Sequence, residues 1–320
     1  MSSGEVRPTL PLGRGREFDA IRTLLARWGD RAVGVGDDAA IVRVPRGDTL
    51  LASVDTAIEN RHFREDWLSP HEIGFRAVTA ALSDLAAMAA QPLGILVALA
   101  LPERWSAHLP AIADGIADAV TVAATTILGG NLAAGDHLSL TTTVLGSAFA
   151  PLRRNGLRPG DTVYVTGRLG GPGAAVAAWN SGHRLHDAHR QRFAHPVARL
   201  REARWLADRG ATAAIDISDG LAADLEHLAA ASAVGLDIDL DLVPLLDGVN
   251  GPVAGAASGE EYELVAGGPG SAPLDTSDFE RTFGTPLTAI GRAVPRESGL
   301  VFRRGAERVA KPAGYDHLSR

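Results

Sequence analysis

The chain contains no cysteine, which excludes disulfides, thiolate zinc sites and cysteine nucleophiles together. It lacks long apolar runs as well. The longest, around Ile95–Leu101, is far too short to span a bilayer. The first twenty residues hold Arg7, Arg14 and Arg16 but no continuous apolar stretch of the secretory type. We therefore expect no membrane association and a cytoplasmic location. Positive charge is also in deficit: the net charge is −7 and the pI about 5.8. That balance argues against general binding of nucleic acid or anionic membrane.

What is present suits a folded protein with a sizeable core. There are 320 residues, 46% of them hydrophobic and 22% charged, enough for one large domain or two ordinary ones. Apolar spacing predicts helices over residues 17–28, 71–90, 109–124, 172–180, 196–209 and 221–232. Strands are expected at 50–54, 94–101, 138–149, 162–166, 213–217, 236–240, 263–266 and 287–291. Turn chemistry at Gly156–Asp161 follows Pro151, which puts a domain boundary near 150. The organisation reads as an N-terminal domain over 1–150 and a C-terminal domain over 151–320.

Four acidic clusters stand out, each beside glycine or serine: Gly36-Asp37-Asp38, Ser83-Asp84, Asp216-Ile217-Ser218-Asp219-Gly220 and Gly259-Glu260-Glu261. Small neighbours let a polyanion or a metal approach the backbone. Hard cations such as Mg²⁺ take oxygen ligands, usually a few carboxylates plus substrate phosphates. The set therefore suggests a multi-metal phosphoryl-transfer site. Each member also has a plainer reading. Asp37-Asp38 and Glu260-Glu261 are equally read as solvated turns, Asp55 as a strand-end cap, and His62 as a surface or core histidine. Asp84 can face solvent, Gly129-Gly130-Asn131 can be a simple turn, and Ser218 or Asp219 can cap the following helix. No Walker-type Gly-x-x-x-x-Gly-Lys-Ser/Thr and no His-Arg-Asp loop occurs.

Taken in order, the motifs resemble the thiamine-monophosphate kinase family. The series runs from Arg16-Glu17-Phe18 through Gly36-Asp37-Asp38-Ala39-Ala40, Asp55-Thr56, His62-Phe63 and Leu82–Met88. It continues through Gly129-Gly130-Asn131, Arg158–Asp161, Ile215–Leu221 and Ser258–Leu264 to Gly314-Tyr315-Asp316-His317. The resemblance implies a two-domain α+β protein with the aminoimidazole ribonucleotide synthetase-like fold. It further implies a homodimer whose N-terminal strands form a barrel. The N-terminal domain would bind ATP and Mg²⁺ and dimerise, and the C-terminal domain would complete the active site.

The implied reaction is ATP-dependent phosphorylation of thiamine monophosphate to thiamine diphosphate by direct in-line transfer. By the same resemblance Asp38, Ser53, Val54, Asp55, Asp84, Asp216 and Asp219 hold several Mg²⁺ ions. Gly130, Asn131, Arg154 and Ser218 contact ATP, and His62, Glu260 and Tyr315 line the acceptor pocket. No side chain is implied as a covalent or general-base catalyst, since the attacking group is a phosphate oxygen already ionised at neutral pH. The chain departs from the family pattern at Val54 (usually Thr), Asn60-Arg61 (usually Gly-Val) and Glu261 (usually Asp). Asn131 stands where Asp is common. Two alternatives stay in view: a kinase of the same superfamily with another phosphorylated acceptor, and a non-catalytic nucleotide-binding paralogue.

Overall fold

A computed structural model describes residues 15–35 and 39–314. The chain divides into two compact units. One is built on residues up to Leu85 together with Ala90–Ala150, the other on Ala86–Ala89 and Pro151 onward.

The first unit begins with α1 (Arg16–Trp28) and β1 (Thr49–Ile58), followed by α2 (Pro70–Ala87) and β2 (Gln91–Leu101). Next come α3 (Leu109–Val122), β3 (Ile127–Ala134) and β4 (Ser139–Ala148). The four strands form one sheet in the order β1-β4-β2-β3, so β1 and β3 are its two edges. Strand alternation sorts the side chains onto two faces. Leu140 and Val144 of β4 and Ile95, Val97 and Leu99 of β2 are buried on the face toward α2. The two helices cross tightly. A Cβ on Gly74 would lie 2.2 Å from the Ile112 carbonyl oxygen, and one on Gly115 1.9 Å from that of His71. Glycine at both crossings is what lets the backbones meet.

The second unit runs β5 (Thr162–Thr166), α4 (Gly171–Ser181), α5 (Asp187–Ala194), α6 (Leu200–Asp208) and β6 (Ala213–Asp216). It continues with α7 (Leu221–Ser232), β7 (Gly235–Asp239), α8 (Gly251–Ala256), β8 (Leu264–Gly268) and α9 (Thr276–Phe283). β9 (Leu287–Val294), β10 (Leu300–Arg304) and β11 (Glu307–Val309) complete it. Seven strands make a mixed sheet in the order β11-β10-β7-β9-β5-β8-β6. Leu221, Leu225 and Leu228 recur on one side of α7 and are fully buried with Val163, Val165, Ile215 and Ile238. Each such leucine stabilises the fold by roughly 1.5–3 kcal/mol. Trp205 of α6 meets Phe279 of α9 edge to face, ring centroids 5.2 Å apart.

The chain is thus α+β with two units, as the motif series implies. Several boundaries shift. β1 extends three residues past Asp55, and the helix expected from Pro196 begins at Leu200. Residues 40–44 form neither helix nor strand. Gly129-Gly130-Asn131 is no turn: it lies inside β3, with a bulge where the β2 register jumps between Ile95 and Leu96. Among the described residues, no helix is long and apolar enough to cross a membrane.

Candidate active site

In the first unit the chemistry gathers where β1 faces α2. Ser53 and Asp55 lie on the same face as Leu51, and the half-buried Asp84 comes up beneath them from α2. The Ser53 hydroxyl donates to Asp84 Oδ2 at 2.5 Å. Asp55 is exposed, and its Oδ1 accepts from the Thr56 N–H at 2.7 Å. In register with Asp55 across the ladder is Thr142, which is fully buried. Val54, by the same alternation, sits on the opposite face and is 60% exposed. Only its main chain is on hand for the Ser53–Asp84 side of the strand. Asp37 and Asp38 lie outside the described residues.

The loop after β1 sets His62. Its Nδ1 accepts from the Ile58 N–H at 3.1 Å, so the neutral ring carries its proton on Nε2. Asn60 adopts φ 64, a left-handed turn position where the family usually has glycine. Glu59 anchors the loop, accepting from Arg104 at 2.5 Å, Trp105 Nε1 at 3.2 Å and the Leu138 N–H at 3.0 Å. Burial opposes its ionisation, but these donors outweigh burial and hold the Glu59 carboxyl below its ordinary range.

Gly130 and Asn131 do not join this group. They are exposed on β3, at the opposite edge of the sheet. Three strand spacings separate β3 from β1, or about 14 Å. A Cβ on Gly130 would fall 1.9 Å from the Val97 carbonyl oxygen, so this glycine is required by the packing of β3 on β2.

In the second unit β6 ends at Asp216, and the loop Ile217–Gly220 leads into α7. A second segment, 258–263, is stitched alongside it. The Glu260 N–H donates to the Ser218 carbonyl at 2.7 Å, Tyr262 N–H to Ile217 at 2.9 Å, and Ile217 N–H to Glu263 at 2.8 Å. Ser218, Asp219 and Glu260 are thereby neighbours. Exposed Arg154 lies beside β6, its neighbour Arg153 accepting at its carbonyl from the Ala214 N–H at 3.2 Å. Gly314 reaches the start of α7, where a Cβ on it would be 2.6 Å from Ala223 Cβ. Tyr315 lies outside the described residues.

Asp224 is a residue that sequence reasoning missed. It sits buried in the first turn of α7, its Oδ2 accepting from the N–H groups of Ser218 at 3.1 Å and Asp219 at 3.2 Å. The N-cap position of α7 is Gly220, which makes no side-chain cap; Asp224 secures the loop from within the helix. Burial, together with the charges of Asp216 and Asp219, pushes the Asp224 carboxyl up to about 8. Three carboxylates thus crowd one loop. No three histidine, aspartate or glutamate side chains among the described residues converge as a ready-made metal cage. The donor chemistry is nonetheless all oxygen and rich in negative charge, which fits Mg²⁺.

Glu261 and Glu263 are neither solvated nor placed to ligate a metal. Both are buried. Glu263 accepts from Thr166 Oγ1 at 2.6 Å, from Arg199 Nε at 2.7 Å and Nη2 at 2.5 Å, and from Arg192 Nη2. Burial alone would raise its pKa, but the two guanidinium groups hold it down to about 2. Burial pushes Glu261 up to about 7 despite Arg192. Its Oε1 accepts from the Gly170 N–H at 2.6 Å, before α4. Glu260 and Tyr262, on either side, have φ of 58 and 53, a left-handed conformation costing about 1–2 kcal/mol per residue without glycine.

Comparison with known proteins sets the class first. Residues 36–148 match the AIR synthase related protein, N-terminal domain, and residues 158–300 match the corresponding C-terminal domain. The thiamine-monophosphate kinase of Escherichia coli K12 is 34% identical, the match covering 93% of this chain and 98% of that protein. A crystal structure of thiamine-monophosphate kinase from Stenotrophomonas maltophilia K279a superposes with a TM-score of 0.80 at 30% identity, covering 90% of this chain and 96% of that one. AaThiL complexed with AMPPCP and TMP gives a TM-score of 0.76 at 26% identity, covering 96% and 99%. The chain belongs to the thiamine-monophosphate kinase family, within the AIR synthase related proteins.

Proposed function

We propose that this protein transfers the γ-phosphoryl group of ATP to thiamine monophosphate, forming thiamine diphosphate. The observation that carries the reading is the grouping of family-matched residues in each unit: Ser53 with Asp84 in the first, and Ser218, Asp219 and Glu260 in the second. Thiamine-monophosphate kinase relatives that match nearly the whole chain support it.

The acceptor oxygen belongs to a phosphate that is ionised at neutral pH, so the residues need only position and neutralise. Asp55, Asp84 and the Ser53 hydroxyl in the first unit, and Asp216 and Asp219 in the second, would hold Mg²⁺, with Asp38 joining them by the family pattern. Bound there, Mg²⁺ supplies neutralisation between two phosphate-bearing reactants. Val54 would contribute through its main chain. Arg154, Ser218, Gly130 and Asn131 would contact ATP. His62 would present its Nε2 proton to the acceptor phosphate, and by the family pattern Glu260 and Tyr315 would also bind the acceptor. In this assignment the N-terminal unit is the ATP- and Mg²⁺-binding domain, and the C-terminal unit completes the site. A cytoplasmic location, with ATP at hand, suits the reaction.

We further propose a homodimer. Gly130-Asn131 and Ser53–Asp55 lie on opposite edges of the same sheet, about 14 Å apart across it. A second copy that sets its β3 edge against β1 would bring Gly130-Asn131 of one chain beside Ser53–Asp55 of the other, closing the two sheets into a barrel. Leu50 and Val54, 50% and 60% exposed on the face turned away from α2, are the apolar surface such a barrel would cover. Light scattering should return twice the chain mass of 33.3 kDa.

The test of the activity is turnover with ATP, Mg²⁺ and thiamine monophosphate, following thiamine diphosphate by chromatography. Product that disappears in Asp84→Asn is the expected result. ATP bound without product would overturn the acceptor assignment and direct the search to other phosphorylated acceptors, starting from exposed Arg61 beside His62.

A further inference from the structure

We propose that Arg192, on α5, is a positioning residue that fixes how Glu260 reaches the acceptor, resting on the reading of Glu260 as an acceptor-binding group. Glu260 and Tyr262 both occupy the left-handed region, at φ 58 and 53, so the course of this segment depends on what grips it. On one side the grip is main chain to main chain, through Ser218 and Ile217. On the other side the Gly170 N–H holds the Glu261 carboxyl, and Arg192 holds the main chain.

Arg192 Nη2 donates at 2.9 Å to the carbonyl of Glu261, the residue between the two left-handed positions, and also to the Glu263 carboxylate. Its Nε lies 3.9 Å from Glu261 Oε2. One planar guanidinium therefore touches the main chain at 261 and the side chains of 261 and 263. A lysine ammonium is a point charge without that fork. Arg199 separately holds Glu263 through two nitrogens. Removing Arg192 therefore leaves the Glu263 carboxylate paired and β8 anchored. What is lost is the hold on the Glu261 carbonyl, which leaves the peptide to Tyr262 tied only through its N–H to Ile217, and with it the aim of Glu260.

Nothing in the sequence around Arg192 marks it. It lies 69 residues from Glu261, in a stretch with no acidic motif of its own.

The test is a double-variant cycle on the full-length protein, measuring kcat and the KM values for thiamine monophosphate and ATP. Arg192→Met is expected to raise KM for thiamine monophosphate by about tenfold while KM for ATP stays within about twofold. Added to Glu260→Gln, the same change should raise KM no further, because Arg192 acts through Glu260. Penalties that multiply independently, or an equal rise in KM for ATP, would show a general structural role and overturn the proposal. If Glu260→Gln alone keeps the parent KM, the reading of Glu260 fails and the proposal fails with it. Should Arg192→Met not fold, Arg192→Lys, which keeps the charge beside Glu263, carries the same cycle with a smaller expected shift.

Discussion

Ser53 and Asp84 are 31 residues apart in the chain and meet where the edge strand faces the helix, hydroxyl to carboxylate at 2.5 Å. The bond orients one carboxylate oxygen of Asp84. Ser53→Ala should cost about 1 kcal/mol of stability, read as a small fall in Tm. It should also raise the Mg²⁺ concentration needed for half-maximal turnover several-fold. An unchanged Mg²⁺ titration would remove Ser53 from the metal site.

Glu263 gives a sharper stability effect. Its carboxyl is depressed from 4.5 to about 2 in the folded state, so its contribution is present above pH 4.5 and lost as pH falls through about 2. Glu263→Gln strands Arg192 and Arg199 without their shared partner. It should destabilise the protein by about 3–5 kcal/mol and flatten the acid limb of a denaturation curve measured against pH.

Glu261 has the opposite sign. Its folded pKa is raised from 4.5 to about 7, so the stability linked to its protonated form is complete below pH 4.5 and lost as pH rises through 7. Glu261→Gln keeps an oxygen for the Gly170 N–H. The variant should therefore lose less stability than the parent between pH 5 and 8. Parallel Tm profiles for the two proteins would refute this assignment.

Gly130→Ala places a methyl group 1.9 Å from the Val97 carbonyl oxygen, a backbone atom that cannot step aside. We expect a loss of about 1–3 kcal/mol or more, seen by thermal melting. Asn131→Asp, exposed on the same strand, should melt like the parent.

Legibility in the sequence followed the range of the interactions. β1 with Asp55 and α2 with Ser83-Asp84 were readable because strand and helix periods are local. Gly129-Gly130-Asn131 reads as a turn by composition, yet lies in a strand, since the close approach to Val97 that calls for glycine comes from a distant segment. Asp224 is hidden in an ordinary helical stretch and shows itself only when the helix start folds back on Ser218 and Asp219. Glu261 and Glu263 look like exposed ligands until Arg192 and Arg199 arrive from more than sixty residues away. Tertiary charge pairing leaves no mark in a local window.

The opposite-edge placement of Asp55 and Asn131 has a genetic corollary. If each working centre joins β1 of one chain to β3 of another, an Asp55→Asn chain and an Asn131→Leu chain fail for complementary reasons. A mixed pair then keeps one centre with both edges undamaged. Co-expressing the two inactive chains should restore roughly a quarter of parental turnover for random two-fold pairing, whereas two lesions on the same strand should never rescue each other.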